Sequence, residues 1–330
     1  MYPISEYLKQ GVNLVKGNVL GIPALPTLML YVTDACNSRC RICNIWQTKR
    51  PTHLSVASIR KLLSSPLIRQ STIGLEGGEF FLHPEYREIL ELLSKRGRFT
   101  LLSNGLMTDR LVESARRFNI PEVLISLDGG PETYHRVRGV DGYDRVKKSI
   151  LALREFTRVS AVFTFSPWNG VKDYEEVKKF CDENNVNLKT NLFTSVPFFN
   201  IKESLKPVDG LEALKIDFPE KDYLDLYRRW LNKKVELPCL SIRVRAVMWP
   251  DGSIPLCQSK SVILGNINNQ SIDEIWSSRN TKAIWKQYYS CNGCWAGFHR
   301  IYDVTLARIL EKFLPKLIIK KILKVYAIYE

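Results

Sequence analysis

Three cysteines near the start of the chain have the residue type and spacing of a metal site: Cys36, Cys40 and Cys43, in the pattern CxxxCxxC. Thiolates bind zinc and iron–sulfur clusters, and three of them on one short loop can share a single centre. A structural zinc site closes with four ligands, so a trio leaves one coordination position open. An open position favours chemistry at the metal over a purely structural role.

Four further cysteines follow in the last third of the chain: Cys239, Cys257, Cys291 and Cys294, of which the last two form a CxxC pair. Clustered spacings of this kind favour metal ligation in a reducing compartment over disulfide bonds. Four such ligands can hold either a zinc ion or an iron–sulfur cluster. The eighth cysteine, Cys181, stands alone on a predicted helix, where we expect a small core residue.

Three polar, glycine-containing segments share one position, directly after a predicted strand. They are Glu76-Gly-Gly-Glu79, Ser103-Asn104-Gly105 and Ser126-Leu127-Asp128-Gly129. Each segment alone is typical of a turn, because Asn-Gly and Asp-Gly are common turn formers. Their order behind the cysteine trio favours a shared site instead.

The elements that must position these residues alternate between strands and helices, as in a parallel sheet with helical crossovers. Predicted strands cover residues 27–33, 72–76, 98–103, 122–127, 158–165 and 187–193. Predicted helices cover residues 55–64, 84–96, 108–118, 143–156 and 171–184. The predicted fold class is α/β, an open (β/α)6 barrel that corresponds to part of a TIM barrel. In such barrels the site lies at the carboxyl ends of the strands, where all of these motifs fall.

These features together resemble the signature of the radical SAM superfamily. The resemblance implies that Cys36, Cys40 and Cys43 hold a 4Fe-4S cluster, whose remaining iron binds S-adenosylmethionine. The cofactor-binding residues that the resemblance implies are Gly77, Gly78, Glu79, Asn104, Ser126 and Ile42. Two positions depart from the family pattern: Ile42 replaces a frequent aromatic residue, and Phe80 follows the Gly-Gly-Glu motif in place of proline.

The distal cysteines resemble the SPASM or twitch extension of this superfamily. The resemblance implies an auxiliary 4Fe-4S cluster bound by Cys239, Cys257, Cys291 and Cys294. No cysteine follows Cys294, so one auxiliary cluster is expected; a zinc ribbon is the alternative. The layout is similar to that of the 2-deoxy-scyllo-inosamine dehydrogenases and, less closely, of the anaerobic sulfatase-maturating enzymes. A β-hairpin of residues 242–248 and 253–257 is predicted around Asp251-Gly252.

The resemblance implies reductive cleavage of S-adenosylmethionine to a 5′-deoxyadenosyl radical, which removes a hydrogen atom from a substrate. A reducing donor such as ferredoxin or flavodoxin would supply the electron. With an auxiliary cluster as electron acceptor, we expect oxidation of a sugar, polyol or glycan, and Arg138 or Asp128 could take the proton. The alternatives are a peptide-modifying enzyme, a glycan epimerase and, from another class, a non-catalytic zinc- or nucleic-acid-binding protein.

Composition limits the partners and the location. The 330 residues include 48 Lys and Arg against 34 Asp and Glu, a formal charge of +14. This surplus could serve an anionic partner or reflect general basicity, and no nucleic-acid-binding motif with interleaved aromatic residues is present. Neither a signal peptide nor an apolar run of about 18 residues is found, so we expect a cytoplasmic protein.

The predicted organisation has five parts. They are a lead-in at 1–26, the barrel at 27–200, a linker or lid at 201–235, the auxiliary cluster domain at 236–300 and a basic amphipathic helix at 301–330. The last helix could contact an anionic membrane or pack on the barrel with a solvated lysine face. Substrate choice is expected to depend on the strand ends and on the segment with Phe198, Phe199 and Asn200.

Overall fold

A computed structural model describes residues 20–199, 201 and 220–301, with a few further residues near each end (12, 13, 16, 17, 303, 304, 315, 317, 318, 327 and 328). A seven-stranded sheet organises it, with the strand order β6-β5-β4-β3-β2-β1-β8. Its strands are β1 Thr27–Tyr31, β2 Thr72–Glu76, β3 Phe99–Ser103, β4 Glu122–Ser126, β5 Arg158–Phe165, β6 Asn187–Leu192 and β8 Arg245–Met248. All neighbouring pairs in this sheet are parallel.

Helices connect the parallel strands. Within the described residues they are α1 Val56–Leu63, α2 Tyr86–Arg96, α3 Thr108–Arg117, α4 Pro131–Arg138, α5 Tyr143–Leu153, α6 Val171–Glu183, α7 Glu220–Leu231, α8 Ile272–Ser277 and α9 Arg279–Gln287. The predicted α/β partial barrel is confirmed, because β1 to β6 alternate with helices in the expected order. The sequence analysis did not predict α4, which begins at Pro131 and ends at Gly139 in the left-handed conformation (φ 66°).

Alternating burial along the strands separates the two faces of the sheet. In β2, Ile73 and Leu75 are fully buried against the helices, whereas Gly74 and Glu76 on the opposite face are partly exposed. In β1, the corresponding inner residues Met29 and Tyr31 form a small cluster of their own with other aromatic and apolar residues. The side chains on the inner face of the barrel therefore form a cluster that is distinct from the main hydrophobic core.

The cluster domain contains a hairpin, and the two predicted strands and the turn at Asp251-Gly252 are present, but the predicted pairing of residues 242–248 with residues 253–257 is wrong. Strand β8 lies beside β1 as a parallel strand, with Arg245 opposite Thr27 and Met248 opposite Leu30. Strand β9, Ser253–Cys257, pairs instead with β10, Lys260–Asn266, as an antiparallel ribbon. All four residues of β8 are buried, and the free edge of β1 provides the backbone partners that a fully buried strand requires.

Two short strands complete the described elements, β7 Val235–Glu236 and β11 Ala327–Ile328, which pair antiparallel. Most of the predicted lead-in, the stretch 202–219 of the predicted lid and most of the basic tail lie outside the described residues. Among the helices that are described, none has the length and apolar character needed to cross a membrane.

Candidate cluster and cofactor site

The cysteine loop that follows β1 is held by the Gly-Gly-Glu segment at the end of β2. Backbone N–H groups of Gly78 and Glu79 donate to the carbonyls of Thr33 and Ala35, each at 2.7 Å. A Cβ atom at Gly78 would overlap the Ala35 carbonyl, and Gly77 has a φ of 149°. The two glycines therefore permit close approach of the cysteine loop itself, in addition to the cofactor role expected from the sequence.

The end of helix α4 supports the same loop from another side. The backbone N–H groups of Arg39 and Arg41 donate to the carbonyls of Arg138 and Val137, at 3.0 and 2.9 Å. These acceptors belong to the last turn of α4, whose terminal carbonyls have no partner within the helix. The helix that the sequence analysis missed thus helps to fix the cysteine trio.

Two of the three thiols, Cys36 and Cys43, lie in surroundings that disfavour an isolated negative charge. Burial raises the pKa of Cys36 to about 12, and burial together with Cys40 raises the pKa of Cys43 further. All three are free cysteines. Buried thiols that resist ionisation fit a site in which iron supplies the compensating positive charge, because coordination deprotonates the thiol.

Glu79 is a buried carboxylate fixed by several donors. It accepts hydrogen bonds from the Ser103 hydroxyl at 2.9 Å and from the Asn104 backbone N–H at 2.8 Å. Burial raises its pKa to about 7, against the lowering effect of these hydrogen bonds. A buried carboxylate without a cation favours a positively charged ligand, and the ammonium group of S-adenosylmethionine meets that requirement.

The other predicted cofactor residues occupy the same end of the sheet. Asn104 donates through Nδ2 to Asn37 Oδ1 at 2.7 Å and so joins the end of β3 to the cysteine loop. Ser126 is buried at the end of β4, and Ile42 is half-buried against the core. The indole N–H of Trp46 donates to the Cys40 carbonyl at 3.3 Å, so this ring supports the loop.

Asp128 and Arg138 form a buried ion pair beside the cysteine trio. The side chains are 0% and 10% exposed, and Arg138 Nη1 lies 3.8 Å from Cys40 Sγ. Burial alone would lower the pKa of Arg138, but Asp128 and Cys40 outweigh it and raise the pKa. Arg138 is therefore a permanent positive charge at the cluster loop.

The four distal cysteines line one cavity, together with His299 and Arg300. The backbone N–H of Cys239 donates to the Cys291 carbonyl at 2.8 Å, which joins the separate segments. Burial raises the pKa of Cys257 to about 12, as it does for Cys36. Arg300 is fully buried and donates through Nε to the Cys294 carbonyl at 3.0 Å, so a positive charge borders the thiols.

The zinc alternative requires four ligands around one point. Among the described residues, no three His, Cys, Asp or Glu side chains converge closely enough to hold a single metal ion. A cluster of four irons receives each thiolate on a different iron, so its ligands surround a volume. The four distal cysteines line a common cavity, as the second arrangement requires. Cys181 lies in the main core, as expected.

Hydrogen bonds that the sequence analysis missed join the segment of the distal Cys257 to the ends of β1 and β2. Gln258, next to Cys257, donates through Nε2 to the Tyr31 hydroxyl at 2.8 Å, and Tyr31 is hydrogen-bonded to Glu76. The only sequence signal was a carboxylate at the end of an otherwise apolar strand. The predicted substrate residue Phe198 packs on Tyr31 with a centroid distance of 4.8 Å, whereas Asn200 lies outside the described residues.

Comparisons with known proteins agree with this geometry. A model of the radical SAM superfamily matches residues 30–183, and a model of an iron–sulfur cluster-binding domain matches residues 239–295. The GTP 3′,8-cyclase of Pasteurella multocida (strain Pm70) is 26% identical over 132 residues, which cover 37% of this chain and 39% of that protein. The match thus spans well under half of this curated relative.

Solved structures share the fold. Streptococcus suis SuiB bound to S-adenosylmethionine has a TM-score of 0.64 at 14% identity, over 84% of this chain and 72% of that chain. The enzyme anSMEcpe with bound AdoMet has a TM-score of 0.58 at 16% identity, over 90% and 99%. The chain therefore contains a radical SAM domain followed by a SPASM-type cluster-binding domain, with S-adenosylmethionine and 4Fe-4S clusters as its cofactors.

Proposed function

We propose that the protein is an oxidoreductase that oxidises a sugar, a polyol or a related small metabolite, with the auxiliary cluster as electron acceptor. The observation that carries the proposal is the cavity shared by Cys239, Cys257, Cys291 and Cys294. A cluster with four protein ligands has no iron free for a substrate, so electron transfer is its expected task. Loss of an electron from a substrate radical is a net oxidation.

When bound, S-adenosylmethionine and the first cluster supply the radical that removes a hydrogen atom from the substrate. The chain's own residues bind and orient the reactants. Glu79 would pair with the cofactor ammonium, and Arg138 would keep the cysteine loop in place through Cys40. Phe198 and Trp249, stacked at 5.6 Å beside Tyr31, would exclude water from this part of the barrel.

Product analysis tests the proposal. Anaerobically reconstituted protein should hold about eight irons and form 5′-deoxyadenosine with dithionite and S-adenosylmethionine. It is then incubated with a panel of cyclitols, hexoses, amino sugars and nucleotide sugars, and the products are analysed by mass spectrometry. The expected product is a carbonyl compound that is two hydrogen atoms lighter than its substrate. Stoichiometric zinc, with neither iron nor deoxyadenosine, would refute catalysis and leave a zinc-binding role.

The same assay separates the alternative enzymes. A glycan epimerase returns a hydrogen atom to carbon, so its product in heavy water has unchanged connectivity and carries deuterium. A peptide-modifying enzyme leaves the sugar panel unchanged and alters a peptide in a cell extract. We further propose a cytoplasmic location and ferredoxin or flavodoxin as electron donor. Contact of residues 301–330 with an anionic membrane is a separate proposal, which binding to anionic lipid vesicles would test.

A further inference from the structure

We infer that Glu76 faces the substrate and accepts the hydroxyl proton that is released when a sugar-like alcohol is oxidised. The inference rests on the proposed function and names the residue that completes it. Three independent features carry it: the position of Glu76 in the sheet, its hydrogen-bonded neighbours and the aromatic wall beside it.

The position of Glu76 follows from the sheet. It is the last residue of β2, on the inner face of the barrel, directly opposite Tyr31 in the register of β1 and β2. Substrates of such barrels bind at the carboxyl ends of the strands, and Glu76 ends its strand three residues before Glu79, the expected cofactor ligand. A carboxylate here lies beside the cofactor site and within the barrel.

The hydrogen bonds around Glu76 leave it available as a base. The Tyr31 hydroxyl accepts a hydrogen bond from Gln258 at 2.8 Å, so its own hydrogen is directed to the Glu76 carboxylate. Burial raises the pKa of Glu76 to about 7, and burial also raises the pKa of Tyr31, which therefore stays protonated. A carboxylate poised near neutral pH is suited to proton transfer.

The other buried carboxylates of the barrel already have partners, which are either a cationic side chain or several hydrogen-bond donors. Asp128 is paired with Arg138, and Glu122 with Lys189 at 2.7 Å. Glu79 accepts hydrogen bonds from the end of β3 and from its own segment. Among the described residues, no ion pair to Glu76 is found, so its second oxygen can face a substrate hydroxyl. Asp128 and Arg138, the proton acceptors expected from the sequence, instead form an ion pair with each other.

The aromatic residues next to Tyr31 indicate the class of substrate. Phe198 stacks on Trp249 with an interplanar angle of 14° and contacts the Tyr31 ring at 4.8 Å. The Trp249 indole N–H has no hydrogen-bond partner among the described residues, and buried donors are normally satisfied. An aromatic surface beside one carboxylate and one indole donor suits a sugar or cyclitol ring, which has apolar C–H faces and hydroxyl edges.

Oxidation of the alcohol would divide its two hydrogens between the bound cofactor and Glu76. The cofactor would supply the group that takes a hydrogen atom from the carbon that bears the hydroxyl, and the Glu76 carboxylate would take the O–H proton. Cys239, Cys257, Cys291 and Cys294 would hold the cluster that accepts the remaining electron. The products would be the carbonyl compound, 5′-deoxyadenosine, a protonated Glu76 and a cluster reduced by one electron. Gln258, beside Cys257, lies on the hydrogen-bonded connection between Glu76 and that cluster site.

The test compares Glu76→Gln with Glu88→Gln, which changes an exposed carboxylate on α2 in the same way. Both proteins are loaded with clusters and assayed with the sugar and cyclitol panel, and carbonyl product is counted per 5′-deoxyadenosine formed. Glu76→Gln should form deoxyadenosine but lower this ratio by about 100-fold, because general base catalysis contributes on that order. Glu76→Asp should restore part of the ratio, and Glu88→Gln should leave it unchanged.

Each outcome separates the two proposals. Wild-type protein that yields a carbonyl product, together with a Glu76→Gln variant that keeps the same ratio, overturns the role of Glu76 and leaves the proposed function intact. Wild-type protein that yields no carbonyl product overturns the proposed function and this inference with it. If Glu76→Gln fails to retain iron, Glu76→Thr decides, because threonine suits a strand and has no carboxylate: an unchanged ratio there overturns the inference, and a lowered one supports it.

Discussion

The buried pair of Asp128 and Arg138 gives the sharpest prediction about the cluster loop. In Arg138→Gln, the carboxylate of Asp128 remains buried without its counter-ion, and such a loss costs about 3–5 kcal/mol. If the free energy of unfolding falls by about 3 kcal/mol per molar urea, the midpoint of denaturation should fall by roughly 1–2 M. The assay follows tryptophan fluorescence of the anaerobic protein in urea.

A matched control exists in the pair of Arg60 and Glu88, which is also an arginine–carboxylate contact. Its side chains are 56% and 44% exposed, so Arg60→Gln should cost no more than about 1 kcal/mol. If Arg138→Gln lowers the midpoint no more than Arg60→Gln does, the burial argument is refuted. A local signature is expected as well: loss of the Arg138 contact to Cys40 should change the electron paramagnetic resonance spectrum of the first cluster and leave that of the auxiliary cluster unchanged.

Three further predictions concern the cofactor and cluster sites. Because burial raises the pKa of Glu79 to about 7, its carboxyl is mostly protonated at about pH 6, and the ammonium of S-adenosylmethionine favours the carboxylate. Binding at this pH should therefore release a proton, measured by calorimetry in two buffers of different ionisation enthalpy, and Glu79→Gln should abolish the release. Arg300→Gln removes a buried positive charge beside the distal thiols, so the midpoint potential of the auxiliary cluster should fall in a redox titration; an unchanged potential would contradict this electrostatic role. Gly78→Ala places a Cβ against the Ala35 carbonyl, so this variant should fail to bind the first cluster and contain about half of the wild-type iron. Gly170→Ala places its Cβ in open space and should retain the wild-type iron content.

The parts of the fold that were predictable depend on local pattern. Alternating apolar residues and the segments after each strand identified the six barrel strands and placed Glu79 and Asn104 at one edge of the sheet. Helix α4 was missed because its only local signals are Pro131 and Gly139, which are equally common in loops. The contacts that its last turn makes with Arg39 and Arg41 depend on tertiary structure and leave no trace in the sequence.

The glycines of the Gly-Gly-Glu motif were identified from the sequence, but one physical reason for them was not. The Gly-Gly-Glu motif was recognisable from its spacing, but the sequence suggested only that backbone approaches a ligand there. The space beside Gly78 is filled by the carbonyl of Ala35, a residue 43 positions earlier in the chain (78 minus 35). A motif can therefore be identified locally while one of its physical reasons lies in a distant loop.

The unpredicted pairing of β8 with β1 has the largest consequence for the proposed function. In a hairpin, residues 242–248 would pair with β9 and keep the distal cysteines in a separate unit. As a parallel neighbour of β1, β8 instead extends the barrel sheet, and the turn after it leads directly into β9. Gln258, at the end of β9, then reaches Tyr31 at the end of β1. One strand pairing thus places Gln258, the residue after Cys257, against Tyr31 and beside Glu76, where the proposed removal of a proton and an electron would need a connection to the auxiliary cysteines.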